Sequence, residues 1–300
     1  MNDIRCIITD IDGTLANEES KLSIECAMAF RSAEDAGFII FPATGRCQRG
    51  LFGIYDDETN DIIKHKGYPG IYHNGALIIG PDGYEDIIEE ICISRETCIE
   101  IIKRLKSLKL CEKLNDGTLI YRDLSIGIYE RDFGIVERST FTESVKYLND
   151  KSNVITKVVD DLLEFAQSME YLPQKILVIE QISKLGHLVE EIDLIGKALD
   201  VRVVLSSNVC IDILPTGVSK GHAAKILLER LGIKPENTMA IGDANNDLEI
   251  LEYVGHPVAM GNAVPQVKEI ARHIVATNDQ HGFAEALYNI AKVPRPKISN

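Results

Sequence analysis

The sequence predicts an α/β protein, a doubly wound and mostly parallel sheet interrupted by an inserted α+β unit. Three observations carry that reading. Unbroken apolar runs alternate with helix-like segments at both ends of the chain, as in parallel strands covered on both faces. The middle of the chain changes rhythm, with two helical periodicities set among strand-like pieces. Several of the terminal apolar runs stop abruptly in Asp, Asn, Thr or Gly, and ligands bind at such strand ends in open parallel sheets.

The first strand is the run Ile4-Arg5-Cys6-Ile7-Ile8, followed at once by Thr9-Asp10-Ile11-Asp12-Gly13-Thr14-Leu15. Residues two apart in extended chain share a side, so Asp10 and Asp12 leave the strand together and Gly13 permits a sharp change of direction. Close carboxylates repel unless a cation or a proton lies between them. Asp-x-Asp-Gly also serves as plain turn chemistry. A calcium loop of the EF-hand kind is excluded, because position 14 is Thr14 and the chain continues as Leu15-Ala16.

Ser23 caps a helix over residues 24–36, Gly37 stops it, and Phe38-Ile39-Ile40-Phe41 forms the second strand, ending in Pro42-Ala43-Thr44-Gly45-Arg46. A strand pair follows at residues 71–79. The breaker cluster Gly80-Pro81-Asp82-Gly83 is the expected first hinge. Cys98, Ile101, Ile102, Leu105 and Leu108 recur at helical spacing, as do Leu185, Leu188, Val189, Ile192, Ile195 and Leu199. Strand-like pieces at 119–121, 125–129, 175–180, 201–206 and 210–214 complete the insert. From Pro215 the first pattern resumes: helix 222–231, strand 238–241, helix 247–253, strand 258–260, helix 264–271, strand 274–276, helix 283–291, and a frayed tail after Pro294. The expected division is 1–82 with 215–300 for the parallel domain and 83–214 for the insert.

A hydrophobic fraction of 45% with 26% charged residues belongs to an ordinary globular chain with a substantial core. The net charge of −14 disfavours nucleic acid and anionic membrane as partners, so an anionic substrate needs a local metal and a few cations. The seven cysteines include no Cys-x-x-Cys pair and read as reduced core residues of a cytoplasmic protein. Charged Asp3 and Arg5 lead straight into the first strand, so no signal peptide is expected, and no apolar run approaches membrane-spanning length.

Four strand ends carry the chemistry: Asp10 with Asp12, Thr44-Gly45-Arg46, the loop 217–220, and Gly242-Asp243-Ala244-Asn245-Asn246-Asp247. One helical turn places Asp243, Asn246 and Asp247 on one face. With Asp10 and Asp12 they make a hard, oxygen-only set that suits Mg2+ better than zinc or copper. Taken singly, each residue has an ordinary use. Thr44 could cap a helix, Lys220 could lie in solvent, and Arg46 could pair with a surface carboxylate. Asn74 and Gly75 could form a turn, His73 could be a half-buried imidazole, and Cys47 could be packing.

In order along the chain, however, these segments resemble the haloacid dehalogenase (HAD) superfamily phosphatases. The closer resemblance is to the Cof-type branch, which carries a large α+β cap between its second and third motifs. The matching segments are Asp10-Ile11-Asp12-Gly13-Thr14-Leu15, Thr44-Gly45-Arg46, Asn74-Gly75-Ala76, Pro215-x-Gly217-Val218-Ser219-Lys220-Gly221, Gly242-Asp243-x-x-Asn246-Asp247 and Val258-Ala259-Met260-Gly261-Asn262-Ala263. The resemblance implies Asp10 as a nucleophile that forms an aspartyl-phosphate and Asp12 as the general acid that later activates water. Thr44 and Lys220 match phosphate-binding positions, with Gly45, Arg46 and Asn246 also on the substrate side. Asp243, the Asp10 side chain and the Asp12 backbone carbonyl match the metal ligands, and Asp247 helps to position Lys220, phosphate or metal-bound water. The residues alone leave open which of Asp10 and Asp12 attacks.

The expected activity is Mg2+-dependent hydrolysis of small phosphorylated metabolites, sugar phosphates foremost, with the cap closing over the sheet edge. A phosphotransferase or mutase using the same intermediate is one alternative, and a silent phospho-ligand-binding protein is another. The natural substrate, the cap residues that recognise it and the oligomeric state are not read from the sequence.

Overall fold

The computed structural model describes residues 3–113 and 116–296. Two compact units emerge, Met1–Glu89 with Ser219–Asn300, and Glu90–Val218. The first opens with β1 (Cys6–Thr9), α1 (Ile24–Asp35), β2 (Ile39–Pro42), α2 (Gln48–Phe52), α3 (Asp57–Ile62), β3 (Gly70–Tyr72), β4 (Leu77–Gly80) and β5 (Gly83–Glu90). The second holds α4 (Arg95–Ser107), β6 (Lys109–Lys113), β7 (Leu119–Asp123), β8 (Ile126–Glu130), β9 (Phe133–Glu137), α5 (Glu143–Ser152), β10 (Ile155–Val159) and α6 (Leu162–Ser168). It continues through β11 (Lys175–Ile179), α7 (Ile182–Leu185), α8 (Leu188–Ala198), β12 (Val201–Ser207) and β13 (Cys210–Pro215). The first unit then resumes with α9 (Lys220–Leu231), β14 (Thr238–Gly242), α10 (Leu248–Tyr253), β15 (His256–Ala259), α11 (Pro265–Ile270), β16 (His273–Ile274) and α12 (Gly282–Glu285), which runs on into a π-helical turn at Ala286–Ile290.

The sheet that positions the site has the order β16-β15-β14-β1-β2, with every pair parallel. Its central strands are apolar on both faces, and β1 is buried at all four residues, whereas edge strand β16 is exposed. Ile7, Ile8, Phe41, Met239, Ile241 and Val258 meet Phe30 of α1, Leu227 of α9 and Phe283 of α12 in one core. Ser23 caps α1 by accepting from the Cys26 N–H, as its sequence suggests. From β1 the chain proceeds to β2 on one side and reaches β14 on the other. The carboxyl ends of β1 and β14 therefore flank the topological switch point.

The insert is an α+β unit with its own core. Its six-stranded sheet, β10-β9-β8-β11-β13-β12, is antiparallel except for the β9–β10 pair. Ile101, Ile102 and Leu105 of α4, Leu162 of α6 and Ile192 of α8 pack on Ile128, Ile176, Val178, Ile211 and Ile213. Hairpin β6–β7 stands as a separate two-stranded sheet.

Several local expectations shift. Gly80-Pro81-Asp82-Gly83 is the turn that joins β4 to β5; β5 extends the β3-β4 sheet, and the boundary between the units falls at Glu89 and Glu90. The return boundary falls at Val218 and Ser219. Helices α2 and α3 occupy a stretch that the apolar pattern leaves blank, and the last strand is His273–Ile274. None of the seven cysteines is in a disulfide; five are buried, Cys92 is half-buried and Cys111 is exposed. The last four residues of the expected tail lie outside the described ones. Among the described residues, no helix is long and apolar enough to cross a membrane.

Candidate active site

Asp10 directly follows β1, and its N–H still donates to the Ile241 carbonyl of β14 at 3.0 Å. The sheet thus fixes the backbone, and the carboxylate projects from the strand end with only 6% of the residue exposed. Lys220 meets it from the first position of α9, a helix capped by Ser219, whose Oγ accepts from the His222 N–H at 3.0 Å. The Lys220 Nζ donates to Asp10 Oδ1 and to Asp247 Oδ1, each at 2.7 Å, and the lysine is 1% exposed. A lysine so buried is stable only when paired. Burial works against the ammonium, but Asp10 and Asp247 overcome it and hold Lys220 charged well above its ordinary range.

Asp247 is the organiser of the loop after β14. Its Oδ2 accepts the backbone N–H groups of Asp243 and Ala244 at 3.0 and 3.1 Å, while its Oδ1 takes Lys220. Asp243 Oδ1 accepts from the Thr14 hydroxyl at 2.8 Å. Gly13 is required where these loops touch. Its φ is +77°, and a Cβ there would lie 2.3 Å from Asp243 Oδ2.

Oxygen atoms of Asp10, Asp243 and Asp247 lie within 4.8 Å of one another. Such crowding tests whether a cation fits. Both Asp247 oxygens already have donors, whereas Asp10 Oδ2 and Asp243 Oδ2 have none among the described residues. Burial pushes the Asp10 carboxyl up, Lys220 pulls it down, and Asp247 and Asp243 push it up again. Burial and then Asp247 push Asp243 up to about 7. Two donor-free oxygens on crowded, hard carboxylates suit a divalent cation held by Asp10 and Asp243, with Asp247 orienting the loop.

Asp12 and Arg46 form a pair, the carboxylate pairing that the sequence allows for Arg46. The Asp12 side chain, 45% exposed, is gripped by Arg46, whose Nε and Nη2 donate to its two oxygens at 2.8 and 2.6 Å. The buried guanidinium also donates from Nη1 to the Gly50 carbonyl at 2.9 Å. Arg46 thus holds Asp12 and the α2 backbone with three of its five N–H donors, and a planar fork matched to a carboxylate explains the grip on Asp12. Thr44 is buried beyond β2, where its Oγ1 accepts from the Arg46 N–H at 3.1 Å. The hydroxyl proton has no acceptor among the described residues. Asn246 Nδ2 donates to Asn74 Oδ1 at 3.0 Å, and Gly45 packs against that same Asn74 amide.

The structure therefore gathers Asp10, Lys220, Asp243 and Asp247 at the switch point and links Asp12 with Arg46. Sequence reasoning missed three supports. Thr14 and Asn262 both stood inside quoted segments, and Asn262 Nδ2 holds the Gly13 carbonyl at 2.8 Å. Asn278 Nδ2 holds the Ala16 carbonyl at 3.0 Å, with no motif to mark it.

Fold and site together define a class, α/β enzymes that set an acidic cluster and a buried lysine at the carboxyl edge of a parallel sheet. The chain belongs to the haloacid dehalogenase-like hydrolases, whose family model matches residues 7–287, and within them to the Cof-type phosphatases. Phosphatase YwpJ of Bacillus subtilis is 27% identical across 96% of this chain and 100% of its own length. The 5-amino-6-(5-phospho-D-ribitylamino)uracil phosphatase YwtE of the same organism is 27% identical across 94% of this chain and 96% of its own. Endoribonuclease YBEY, chloroplastic, from Arabidopsis thaliana is 28% identical, and the chain spans 46% of its length. Among solved structures, TM0651 from Thermotoga maritima superposes with a TM-score of 0.75 at 28% identity, covering 96% of this chain and 97% of that one. The HAD subclass IIB sugar phosphatase BT4131 shares the fold with a TM-score of 0.72 at 21% identity, over 96% and 99% of the two chains.

Proposed function

We propose that the protein is a Mg2+-dependent phosphomonoesterase for small phosphorylated metabolites, with sugar phosphates as the substrate class, working through an aspartyl-phosphate on Asp10. One observation supports this above the others: a buried ammonium at 2.7 Å from the Asp10 carboxylate, beside a second carboxylate that has a donor-free oxygen. A carboxylate attacking a phosphate dianion meets repulsion of about 4 kcal/mol per charge pair at ~4 Å in an effective dielectric near 20. Lys220 offsets part of that repulsion and stabilises charge on the transferring oxygens. Asp10, Asp243 and the Asp12 carbonyl would hold Mg2+, which would supply the remaining positive charge.

In the first step an Asp10 oxygen bonds to phosphorus, the ester P–O bond breaks, and Asp12 gives its proton to the leaving alkoxide. In the second, Asp12 takes a proton from water, the resulting hydroxide attacks phosphorus, and the bond to Asp10 breaks to release inorganic phosphate. Thr44 and Asn246 donate to the phosphoryl oxygens. Choice among leaving groups is assigned to the inserted unit, acting as a cap. The YwtE and BT4131 phosphatases support small phosphorylated substrates as the class.

The test is hydrolysis of an aryl phosphate with and without Mg2+, followed by a panel of phosphorylated metabolites scored for inorganic phosphate. Turnover that needs Mg2+ and disappears in Asp10→Asn is the expected result. Turnover that survives Asp10→Asn would remove Asp10 as the nucleophile.

A further inference from the structure

We infer that Asn74 is a positioning residue of the phosphate pocket, setting the Asn246 amide and the Thr44–Gly45 loop in one arrangement; this rests on the phosphomonoesterase reading. In sequence Asn74 is an ordinary turn former. In the structure it is 2% exposed, with φ 57° and ψ 22°. Asn tolerates this left-handed conformation better than most residues with a side chain.

Three loops meet at its turn. The Asn74 N–H donates to the Thr44 carbonyl at 2.9 Å, and the His73 N–H donates to the Arg46 carbonyl at 3.0 Å. The turn's backbone is therefore tied to the loop that carries Thr44. The Asn74 side chain reaches the loop after β14, where its Oδ1 accepts from Asn246. A Cβ on Gly45 would come within 3.2 Å of the Asn74 amide, so that loop lies directly on it. Gly75 completes the set, with φ +107° and room for no side chain. A Cβ there would lie 2.3 Å from the carbonyl oxygen of Ser219, the residue before Lys220.

The consequence for Asn246 is specific. Its contact with Asn74 is the one hydrogen bond its side chain makes among the described residues, and its Oδ1 is buried without a donor. An amide nitrogen carries two hydrogens. Spending one on Asn74 Oδ1 fixes the amide plane and leaves the other for a phosphoryl oxygen. Without Asn74 the Asn246 amide would rotate, and that second hydrogen would lose its direction.

The experiment compares wild type, Asn74→Gly, Asn246→Ala and the double variant. Each is read by kcat and KM for an aryl phosphate, by the Ki of inorganic phosphate as competitive inhibitor, and by Tm. Glycine keeps the left-handed backbone and removes only the amide. Asn74→Gly is expected to raise the phosphate Ki about tenfold, the worth of one hydrogen bond to a charged group, with Tm little changed. In the Asn246→Ala background the same change is expected to do almost nothing. An unchanged Ki in Asn74→Gly, or full additivity of the two variants, overturns the inference. So does an unchanged Ki in Asn246→Ala alone, which decides the matter even if Asn74→Gly does not fold. Wild type that hydrolyses no phosphate ester removes the phosphomonoesterase reading and this inference with it. Normal turnover with a silent Asn74→Gly removes this inference only.

Discussion

Arg46 and Asp12 make a pair whose geometry bears on two roles that the sequence leaves open. Nε and Nη2 grip the two Asp12 oxygens and Nη1 holds the Gly50 carbonyl, so three of the five guanidinium N–H donors serve Asp12 and the α2 backbone. An arginine that holds Asp12 in place acts on the proton transfer proposed for Asp12 more than on substrate affinity. Arg46→Lys keeps the charge and loses the two-pronged grip. It is therefore expected to lower kcat about tenfold or more while KM moves less than twofold; a phosphate ligand would show the reverse, a raised KM with kcat near wild type. Steady-state kinetics on an aryl phosphate distinguishes the two. The same residues show where sequence reading stops. Asp10, Lys220, Asp243 and Asp247 were legible because their order along the chain is itself the signal. Arg46 was legible only as one of a group, because its partner depends on side-chain direction after the β2 turn, which no spacing records.

Among the elements, those that carry the site were the most legible. β1 and β14 are continuous apolar runs, and α1 has a clear start in its Ser23 cap; α9 begins at Lys220 behind a Ser219 cap, two residues before the expected start at 222. Short or polar elements were not. Helix α3 announces itself only through a capping box, in which Asp56 accepts from the Thr59 N–H and Thr59 accepts from the Asp56 N–H. The turn at Gly80 and Gly83 looked like a boundary because breaker residues mark a hairpin and a linker alike. Loop closeness at the site, by contrast, follows from one glycine. Gly13→Ala places a methyl group 2.3 Å from an Asp243 oxygen and forces a φ of +77° on a residue with a side chain. Backbone strain of this kind is worth about 1–3 kcal/mol, and the displaced carboxylate is the one proposed to hold the cation. The variant is expected to lose stability by that amount and to need severalfold more Mg2+ for half-maximal turnover. Urea unfolding and a Mg2+ titration of activity measure the two effects separately. Lost stability with an unchanged Mg2+ requirement would detach Asp243 from the metal.

Across the whole molecule, protonation acts in opposing directions, and one buried group stands apart. Raised carboxyls such as Asp243 and Glu34 lose their stabilising protons as pH rises, so on their own they favour the folded chain at lower pH. His65 works the other way. Its ring packs edge-on against Phe30 at 5.6 Å, its Nδ1 accepts from the Gly67 N–H at 3.0 Å, and its buried Nε2 makes no hydrogen bond among the described residues. Burial lowers its pKa from 6.5 to about 4, against a small opposing effect from the Pro69 backbone. A histidine depressed in the folded state binds its proton more readily when unfolded. Its contribution is complete above pH 6.5 and is lost as pH falls toward 4, to the extent of about 3 kcal/mol for a shift of this size. His65→Asn retains an acceptor for the Gly67 N–H and removes the titration. Because every other group is common to both proteins, the difference between wild type and His65→Asn in urea unfolding isolates this one. Wild type is expected to lose about 3 kcal/mol relative to the variant between pH 7 and pH 4. A difference that stays constant over that interval would mean that the imidazole is not held neutral in the fold.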